Sequence, residues 1–505
     1  MSTNEEAVFL EDTVHYQTIP VSRSYHVDTL TPIQLFQSLQ NEAVYLLESN
    51  DEQSPWSNYS FIGLNPFLSI EEKNDELHVL DQEGASLFNS VQLEETLCFV
   101  NALLKIKELD LPIPFTGGGV GYIGYDAVST FEKVPKHKQN DLKLKSYHLL
   151  YCETIVVFSH LTKKITFIHF ARLSGNEQLE EKKQIFYMAN KKINDRFEKV
   201  KNAKVSHDLL FASPDVEIDF NEITSSYTKE AFIRHVQKIK EYIAAGDVFQ
   251  TVLSQRFKIP VTAKGFDLYR ILRLVNPSPY LFYIKLKDCE IVGSSPEKLI
   301  QVSNGHLEIH PIAGTRRRGK TEEEDQILAE ELQRDEKEQA EHYMLLDLAR
   351  NDLGRVSEFG SIKTPMIKEL HYFSHVMHLV SKVTGLLKDD VSPIDALLAS
   401  FPAGTVSGAP KVRAMEIIQE LEPVARNIYA GTVAYIGFDG NIDSCIAIRT
   451  AVIKDKHAYV QAGAGIVADS DPELEWKETI NKASGVIKAI KLAEKTFSKE
   501  ERITC

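Results

Sequence analysis

The chain has 505 residues, with 57 basic against 72 acidic side chains and a net charge of −15. Hydrophobic residues at 43% exclude a disordered chain and supply a large buried core, while the acidic balance argues against a nucleic-acid partner or a polybasic membrane anchor. At about 150 residues per domain the length corresponds to about three domains. Cys98, Cys152, Cys289, Cys445 and Cys505 are scattered and form no Cys-x-x-Cys pair, so neither a zinc knuckle nor a disulfide framework is expected. No basic, apolar leader opens the chain and no apolar run is long enough to span a membrane. A cytoplasmic protein is expected.

The first part of the chain reads as short strands with turns, including Ala43–Leu47, Glu153–Ser159 and Lys164–Phe170. Helices are predicted over Pro32–Gln40, Leu93–Lys107 and Gln178–Lys199. The stretch Val205–Ser226 mixes His, Asp, Ser and Pro without periodicity and divides a region 1–220 from a region 221–505. Beyond it, Lys229–Ala245 is an amphipathic helix with Phe232, Val236, Ile239 and Ile243 on one face. Strands are predicted at Val248–Phe257, Tyr280–Ile284 and Glu290–Gly293. One long helical region follows over Thr321–Leu353, then a strand over His371–Thr384 and a helix over Pro410–Glu420. Gly431–Gly437 and Ile442–Ile453 read as a hairpin around the turn dipeptide Asp439-Gly440, and Glu473–Lys495 as a final helix. Strands in adjacent runs, rather than strict βαβ alternation, predict an α+β fold: large antiparallel sheets with outer helices, and two intertwined regions.

Two motif matches fail on physical grounds. Gly314–Thr321 fits GxxxxGK[ST], but three arginines stand where the backbone would wrap phosphates. The helix that it opens begins with Glu322, Glu323, Glu324 and Asp325, at the end where an anion would bind. A nucleotide-binding protein is the poorest of the three functional classes considered. Gly119-Val-Gly121-Tyr-Ile-Gly124 fits GxGxxG, but prolines precede it and no helix pattern follows, so it reads as a glycine-rich strand packed against another backbone.

Other residues form a chemically coherent set. Glu338 and Glu341 share a helix face, and so do Glu475, Glu478 and Lys482. Alone, each pair reads as a solvated face; together they could hold a hard divalent cation such as Mg²⁺ through oxygens, with Asp347 and Asp352 as competing ligands. Phe401–Lys411 is a glycine-rich loop leading into a helix, and Ala462-Gly463-Ala464-Gly465 after a strand could offer backbone N–H groups to an anion. Arg449, at the end of an apolar strand, needs either a substrate carboxylate or a protein one. His378 shares a strand face with Val376 and Val380 and, alone, reads as a core histidine. The sum is a site for a small multi-carboxylate metabolite with Mg²⁺.

The ordered segments Leu46–Ser49, Gly121–Asp126, Asn276–Tyr283, Gly293–Glu297, Pro311–Gly319, Glu338–Gly354, Val376–Ser381, Phe401–Ile418, Gly431–Gly437, Ile442–Thr450 and Gln461–Ala483 resemble the chorismate-utilising enzymes. Among these they are most similar to the large subunits of anthranilate synthases. The resemblance is dense over residues 230–485 and sparse before them. It implies amination of chorismate at C2, loss of the 4-hydroxyl and elimination of pyruvate to give anthranilate, the first step of tryptophan biosynthesis. By matching motif, Glu338, Glu341, Glu475 and Glu478 correspond to the family's Mg²⁺ cluster, and His378 to the residue near the leaving hydroxyl. Thr405, Tyr429, Arg449, Gly463, Ala464, Gly465 and Lys482 correspond to its substrate contacts. A Glu or His would act as proton donor to the departing hydroxide.

Two positions separate the relatives. Ala313 stands where many aminodeoxychorismate synthases, the alternative assignment, carry a nucleophilic lysine. Gln250 stands where water-adding relatives carry a lysine base, and glutamine is no base. Both favour direct attack by ammonia at C2. No glutaminase motif is present, so the resemblance implies a separate glutamine amidotransferase subunit as ammonia source, in a heterotetramer of two large and two small subunits. Leu46–Ser49 and Asn276–Tyr283 resemble the family's tryptophan feedback site, with Glu48, Ser49, Pro279 and Tyr280 as candidate contacts. Leu281 replaces a Met common among relatives, a swap that conserves volume.

Overall fold

A computed structural model of the chain describes residues 3–50, 55–203, 217–220, 223–372 and 376–497. The larger part of the predicted boundary Val205–Ser226, and Cys505, lie outside the described residues. The strands are β1 (Thr18–His26), β2 (Ala43–Glu48), β3 (Tyr59–Lys73), β4 (Glu76–Asp81), β5 (Ser86–Ser90), β6 (Gly118–Ile123), β7 (Tyr147–Ser159) and β8 (Lys164–Arg172). They continue with β9 (Thr224–Ser225), β10 (Gln250–Pro260), β11 (Tyr280–Lys285), β12 (Glu290–Ser295), β13 (Lys298–Ser303), β14 (His306–Ile309), β15 (Ile312–Arg317), β16 (Lys363–Tyr372) and β17 (Val376–Leu386). The last are β18 (Gly408–Ala409), β19 (Thr432–Gly437), β20 (Ile442–Ile446), β21 (Thr450–Lys454) and β22 (His457–Ile466).

The ladders between these strands are antiparallel and form two long runs that share β3 and β7. One passes from β1 through β8, β7, β3, β2, β11, β12, β21 and β22 to β10. The other passes from β7 through β6, β19, β20, β13 and β14 to β17, on which β15 and β16 also pair. β3 changes register partner at Pro66 and Leu68, and such an irregularity lets one long strand serve two layers. Tyr45, Phe282 and Ile291 from one run pack with Tyr122, Val433 and Tyr435 from the other, so the inner faces form a sandwich core. Helices cover the outside. Leu179–Lys201, Gly265–Val275 and Pro472–Phe497 pack on the first run, and Leu93–Leu104 and Glu336–Val356 on the second; Lys411–Leu421 lies against β10 and turns Met415 and Ile418 to the second core. This is the expected α+β architecture.

Residues 1–220 and 221–505 are joined by the sheet itself, because β2 pairs with β11 and β6 with β19. The glycines of Gly119–Gly124 lie on β6. A Cβ at Gly121 would fall on the His148 carbonyl of β7, so the GxGxxG match is a requirement for close backbone approach, not a nucleotide loop.

Three predicted elements differ. Thr321–Leu353 is two helices, Glu322–Arg334 and Glu336–Val356, because Asp335 leaves the helix and caps the second by accepting from Lys337 N at 3.0 Å and Glu338 N at 3.1 Å. The strand predicted at His371–Thr384 is the end of β16 and most of β17, two antiparallel partners, with residues 373–375 outside the described residues. The long strand Ile442–Ile453 is β20 and β21. It breaks before Arg449, which takes a left-handed φ of 51°.

Among the described residues no helix is long and apolar enough to cross a membrane. Cys98 is exposed, and Cys152, Cys289 and Cys445 are buried; all four are free thiols.

Candidate active site

Ala462–Gly465, expected after a strand with backbone N–H groups to offer an anion, is itself the last part of β22, paired with Leu253, Ser254 and their neighbours on β10. The other edge of β22 is different. β21 pairs only as far as Ala451↔Val460, so beyond Val460 that edge has no strand beside it. The Gly463 carbonyl on this edge accepts from Lys482 Nζ at 3.1 Å. The glycines serve a packing purpose. A Cβ at Gly463 would lie 2.8 Å from the Tyr429 hydroxyl, and one at Gly465 would collide with the Gln250 carboxamide.

Around this open edge the structure gathers the predicted residues from distant elements. Arg449, released by the break between β20 and β21, donates to the Lys482 backbone carbonyl on helix Pro472–Phe497. Burial lowers the pKa of its guanidinium, and Tyr429 and Glu478 act in the opposite sense. Lys482 Nζ also pairs with Glu478 at 2.7 Å. Burial pushes the Tyr429 phenol up to about 12, so it is a hydrogen-bond donor at neutral pH.

The four glutamates act on one another electrostatically. Glu341 is raised by burial first and then by Glu338 and Glu478, with Lys482 opposing; Glu475 is raised by burial and by Glu478. That is excess negative charge which Lys482 offsets only in part. Two of the carboxylates hold protein cations: Glu338 pairs with Arg316 at 3.0 Å and Glu478 with Lys482. No preassembled trio of His, Cys, Asp and Glu able to hold a metal ion occurs among the described residues. The competing ligand Asp352 is committed elsewhere, to Lys411 at 2.9 Å.

His378 Nδ1 lies 3.0 Å from the Gly314 carbonyl and 3.1 Å from Thr315 Oγ1. A carbonyl only accepts, so Nδ1 carries the proton and Nε2 is the acceptor of the neutral ring. Burial, with Arg449 adding to it, lowers the ring's pKa, while the Gly314 hydrogen bond and Glu338 oppose the shift. Gln250, at the start of β10, is buried and its Oε1 has no hydrogen-bond partner among the described residues. Ala313 is buried on β15 against β17.

Sequence reasoning passed over two residues. Glu297 was visible only as the last member of the segment Gly293–Glu297, with no spacing to mark it. Its carboxyl is pushed up to about 7 by burial, with the Thr405 hydroxyl and Lys482 pulling the other way. A carboxyl poised at neutral pH beside two predicted substrate contacts is a candidate proton-transfer group. Arg316 was also missed. It bridges Glu331 at 3.2 Å, Asp335 at 2.7 Å and Glu338 at 3.0 Å, and Arg318 pairs with Asp325 at 2.6 Å. The arginines of Gly314–Thr321 thus answer their own acidic helices rather than a phosphate.

A second site lies where β2, β11 and β13 meet. Glu48, Ser49, Pro279, Tyr280 and Leu281 all line one cavity of about 1500 Å³. Pairing of Glu48 with Leu281 brings the two segments together. Glu48 accepts from the Tyr269 hydroxyl at 2.6 Å and pairs with Arg273 at 3.2 Å. The Tyr280 hydroxyl donates to Asp443 at 3.0 Å. Burial raises Asp443 to about 6, opposed by Lys298 and by Tyr280.

The open strand edge thus has a buried arginine, a lysine and a neutral-range carboxyl beside it, next to four mutually repelling glutamates. A family model for chorismate binding enzymes matches residues 42–488, and the chain belongs to that family. It is 55% identical over 508 residues, covering all of both chains, to anthranilate synthase component 1 of Geobacillus stearothermophilus. It is 52% identical to the protein of that name from Bacillus subtilis (strain 168), over 98% of this chain and 97% of that one. A crystal structure of anthranilate synthase component I from Streptococcus pneumoniae TIGR4 superposes with a TM-score of 0.75 at 37% identity, covering 91% of this chain and 98% of the other.

Proposed function

We infer that this chain is the synthase component of anthranilate synthase, converting chorismate and ammonia to anthranilate and pyruvate in tryptophan biosynthesis. The observation that carries this is the full-length similarity, joined to a site whose cations and carboxyls suit a dicarboxylate.

Arg449, Lys482 and the exposed edge of Gly463–Gly465 hold the substrate carboxylates, and Tyr429 donates to them. Gln250 Oε1, a buried acceptor without a partner, takes an N–H of the incoming ammonia and aims its lone pair at C2. As the C2–N bond forms, the ring double bonds shift and the 4-hydroxyl leaves. Hydroxide is a poor leaving group, and Glu297 supplies the proton that turns it into water. His378, neutral with its proton on Nδ1, cannot give one from Nε2. It is an acceptor beside the same centre. The ammonium on C2 sheds one proton; loss of the C2 proton with cleavage of the C3–O bond then leaves anthranilate and releases enolpyruvate, which takes up a proton to become pyruvate. Ala313 offers no nucleophile, which leaves ammonia as the group that attacks and argues against the aminodeoxychorismate alternative.

Glu338, Glu341, Glu475 and Glu478 are hard oxygen donors carrying excess negative charge, which fits Mg²⁺. When bound, the ion would neutralise that charge and a substrate carboxylate beside it. Arg316 and Lys482 hold two of these carboxylates in its absence. The relatives' name, component 1, supports a second component; in this reading it is a glutaminase that supplies ammonia, in an assembly of two large and two small subunits.

We place feedback by tryptophan at the cavity lined by Glu48, Ser49, Pro279, Tyr280 and Leu281. Ser49→Phe, which fills the cavity mouth, is expected to raise the inhibitory concentration of tryptophan at least tenfold; unchanged inhibition in a rate assay would move the effector site elsewhere.

The reaction itself is tested with the purified chain, chorismate, Mg²⁺ and excess ammonium, following anthranilate fluorescence and confirming product mass. Anthranilate that disappears on adding EDTA is expected. Accumulation of aminodeoxychorismate or isochorismate would overturn the reading of Ala313 and Gln250.

A further inference from the structure

The active site and the cavity are separated by a very short piece of chain. Between β12 and β13 run Ser295, Pro296, Glu297 and Lys298. Pro296 and Lys298 line the cavity. Glu297, between them, turns the other way, to Thr405 and Lys482.

The ends of this piece are clamped by two cavity residues. Ser295 is the ladder partner of Tyr280 on β11, and Lys298 is the ladder partner of Cys445 on β20. Tyr280 and Cys445 both face the cavity. The clamp is tight within the segment as well. Ser295 Oγ donates to the Ile446 carbonyl at 2.6 Å, and Ile446 N donates to the Glu297 carbonyl at 3.0 Å. Just beyond, the ladder shifts register between Lys298 and Ile300, a bulge at which the strand can yield. Lys298 Nζ anchors the far end through Gln301 at 2.8 Å and Glu308 at 2.9 Å. One residue before Ser295, Ser294 N donates to the Arg449 carbonyl at 3.2 Å, so a second substrate residue hangs on the same strand.

Hydrogen-bonded neighbours in a ladder move together, and packed interiors switch between discrete arrangements rather than deforming smoothly. A ligand pressing on Tyr280 or Cys445 therefore displaces Ser295 or Lys298, and Glu297 is carried with them. We propose that Ser295–Lys298 positions Glu297 for proton transfer and couples the occupancy of the cavity to it. This rests on the assignment of the cavity to tryptophan. Inhibition then comes from tryptophan preferring the arrangement in which Glu297 is withdrawn from Thr405 and Lys482. A ligand that binds both arrangements equally would not inhibit.

Two variants test the link, with tryptophan binding measured by calorimetry and inhibition by anthranilate production in the same preparation. Lys298→Met frees the far end of the segment. Ser295→Ala cuts its near clamp at a side chain that does not line the cavity. In Ser295→Ala, tryptophan is expected to bind within about threefold of the wild-type affinity, while the concentration needed for half inhibition rises at least tenfold; in Lys298→Met, which also takes a cation from the cavity wall, the half-inhibitory concentration is expected to rise at least threefold more than the dissociation constant. Binding and inhibition weakening in parallel in both variants would make these residues ligand supports and overturn the proposal, as would inhibition unchanged in both. Failure of the wild-type chain to bind tryptophan at all would instead remove the cavity assignment, and the proposal with it. If Lys298→Met does not fold, Ser295→Ala decides alone.

Discussion

Glu297→Gln is expected to lower turnover by about 10²–10⁴, the range that one acid–base group contributes, while leaving chorismate binding within a few-fold of wild type. Glutamine keeps the shape of the side chain beside Thr405 but has no proton to give to a leaving hydroxide. The pH dependence carries the same signature. Burial holds the Glu297 carboxyl at about 7. The donating form is the protonated one, present below that value and lost as pH rises through it. With free ammonia held constant at each pH, kcat/KM for chorismate should therefore fall on the alkaline side of about pH 7 in the wild-type chain. The limb should be absent from the residual activity of the variant. A variant of undiminished turnover, or one that keeps the limb, would move the acid to another residue.

Glu341→Gln is the second. The carboxylate of Glu341 is raised by its burial and by the charges of Glu338 and Glu478. A buried carboxyl held above its ordinary range costs stability once the pH is high enough to ionise it. The amide has no such cost, so thermal unfolding at neutral pH is expected at the wild-type temperature or slightly above. Turnover is expected to fall below detection, and Mg²⁺ titration followed calorimetrically with chorismate present should lose its heat. A folded variant with wild-type Mg²⁺ dependence would take Glu341 out of the metal set.

Much of this arrangement could be read from the residues. The helices carrying Glu338 and Glu341, and Glu475, Glu478 and Lys482, follow from periodicity, and the sheet class follows from adjacent strands with turn dipeptides. What escaped has a common cause: it depends on partners far along the chain or on breaks that periodicity does not register. The helical pattern runs on through Asp335, so only its side chain on Lys337 N and Glu338 N reveals the interruption. The apolar run Ile442–Ile453 hides the turn that frees Arg449. Glu297 has an ordinary sequence context, and its displaced pKa arises from burial in the folded chain, which Thr405 and Lys482, more than 100 residues away, oppose. β16 alternates in exposure but not in polarity, with the apolar Ile367 exposed and Lys368 half-buried, so the strand period is missing from its residues.

The sharing of β3 and β7 between two sheet runs, with β2 on β11 and β6 on β19, bears on how the chain is made. β2 and β6 leave the ribosome early, but their partners β11 and β19 are synthesised roughly 200 to 300 residues later, on the order of tens of seconds at cellular elongation rates. Through that interval the nascent chain carries two unsatisfied strand edges, which are templates for pairing with other chains. Contacts so distant in sequence also fold slowly once complete. The yield of active protein should therefore depend on chaperone supply during translation more than on the stability of the finished fold.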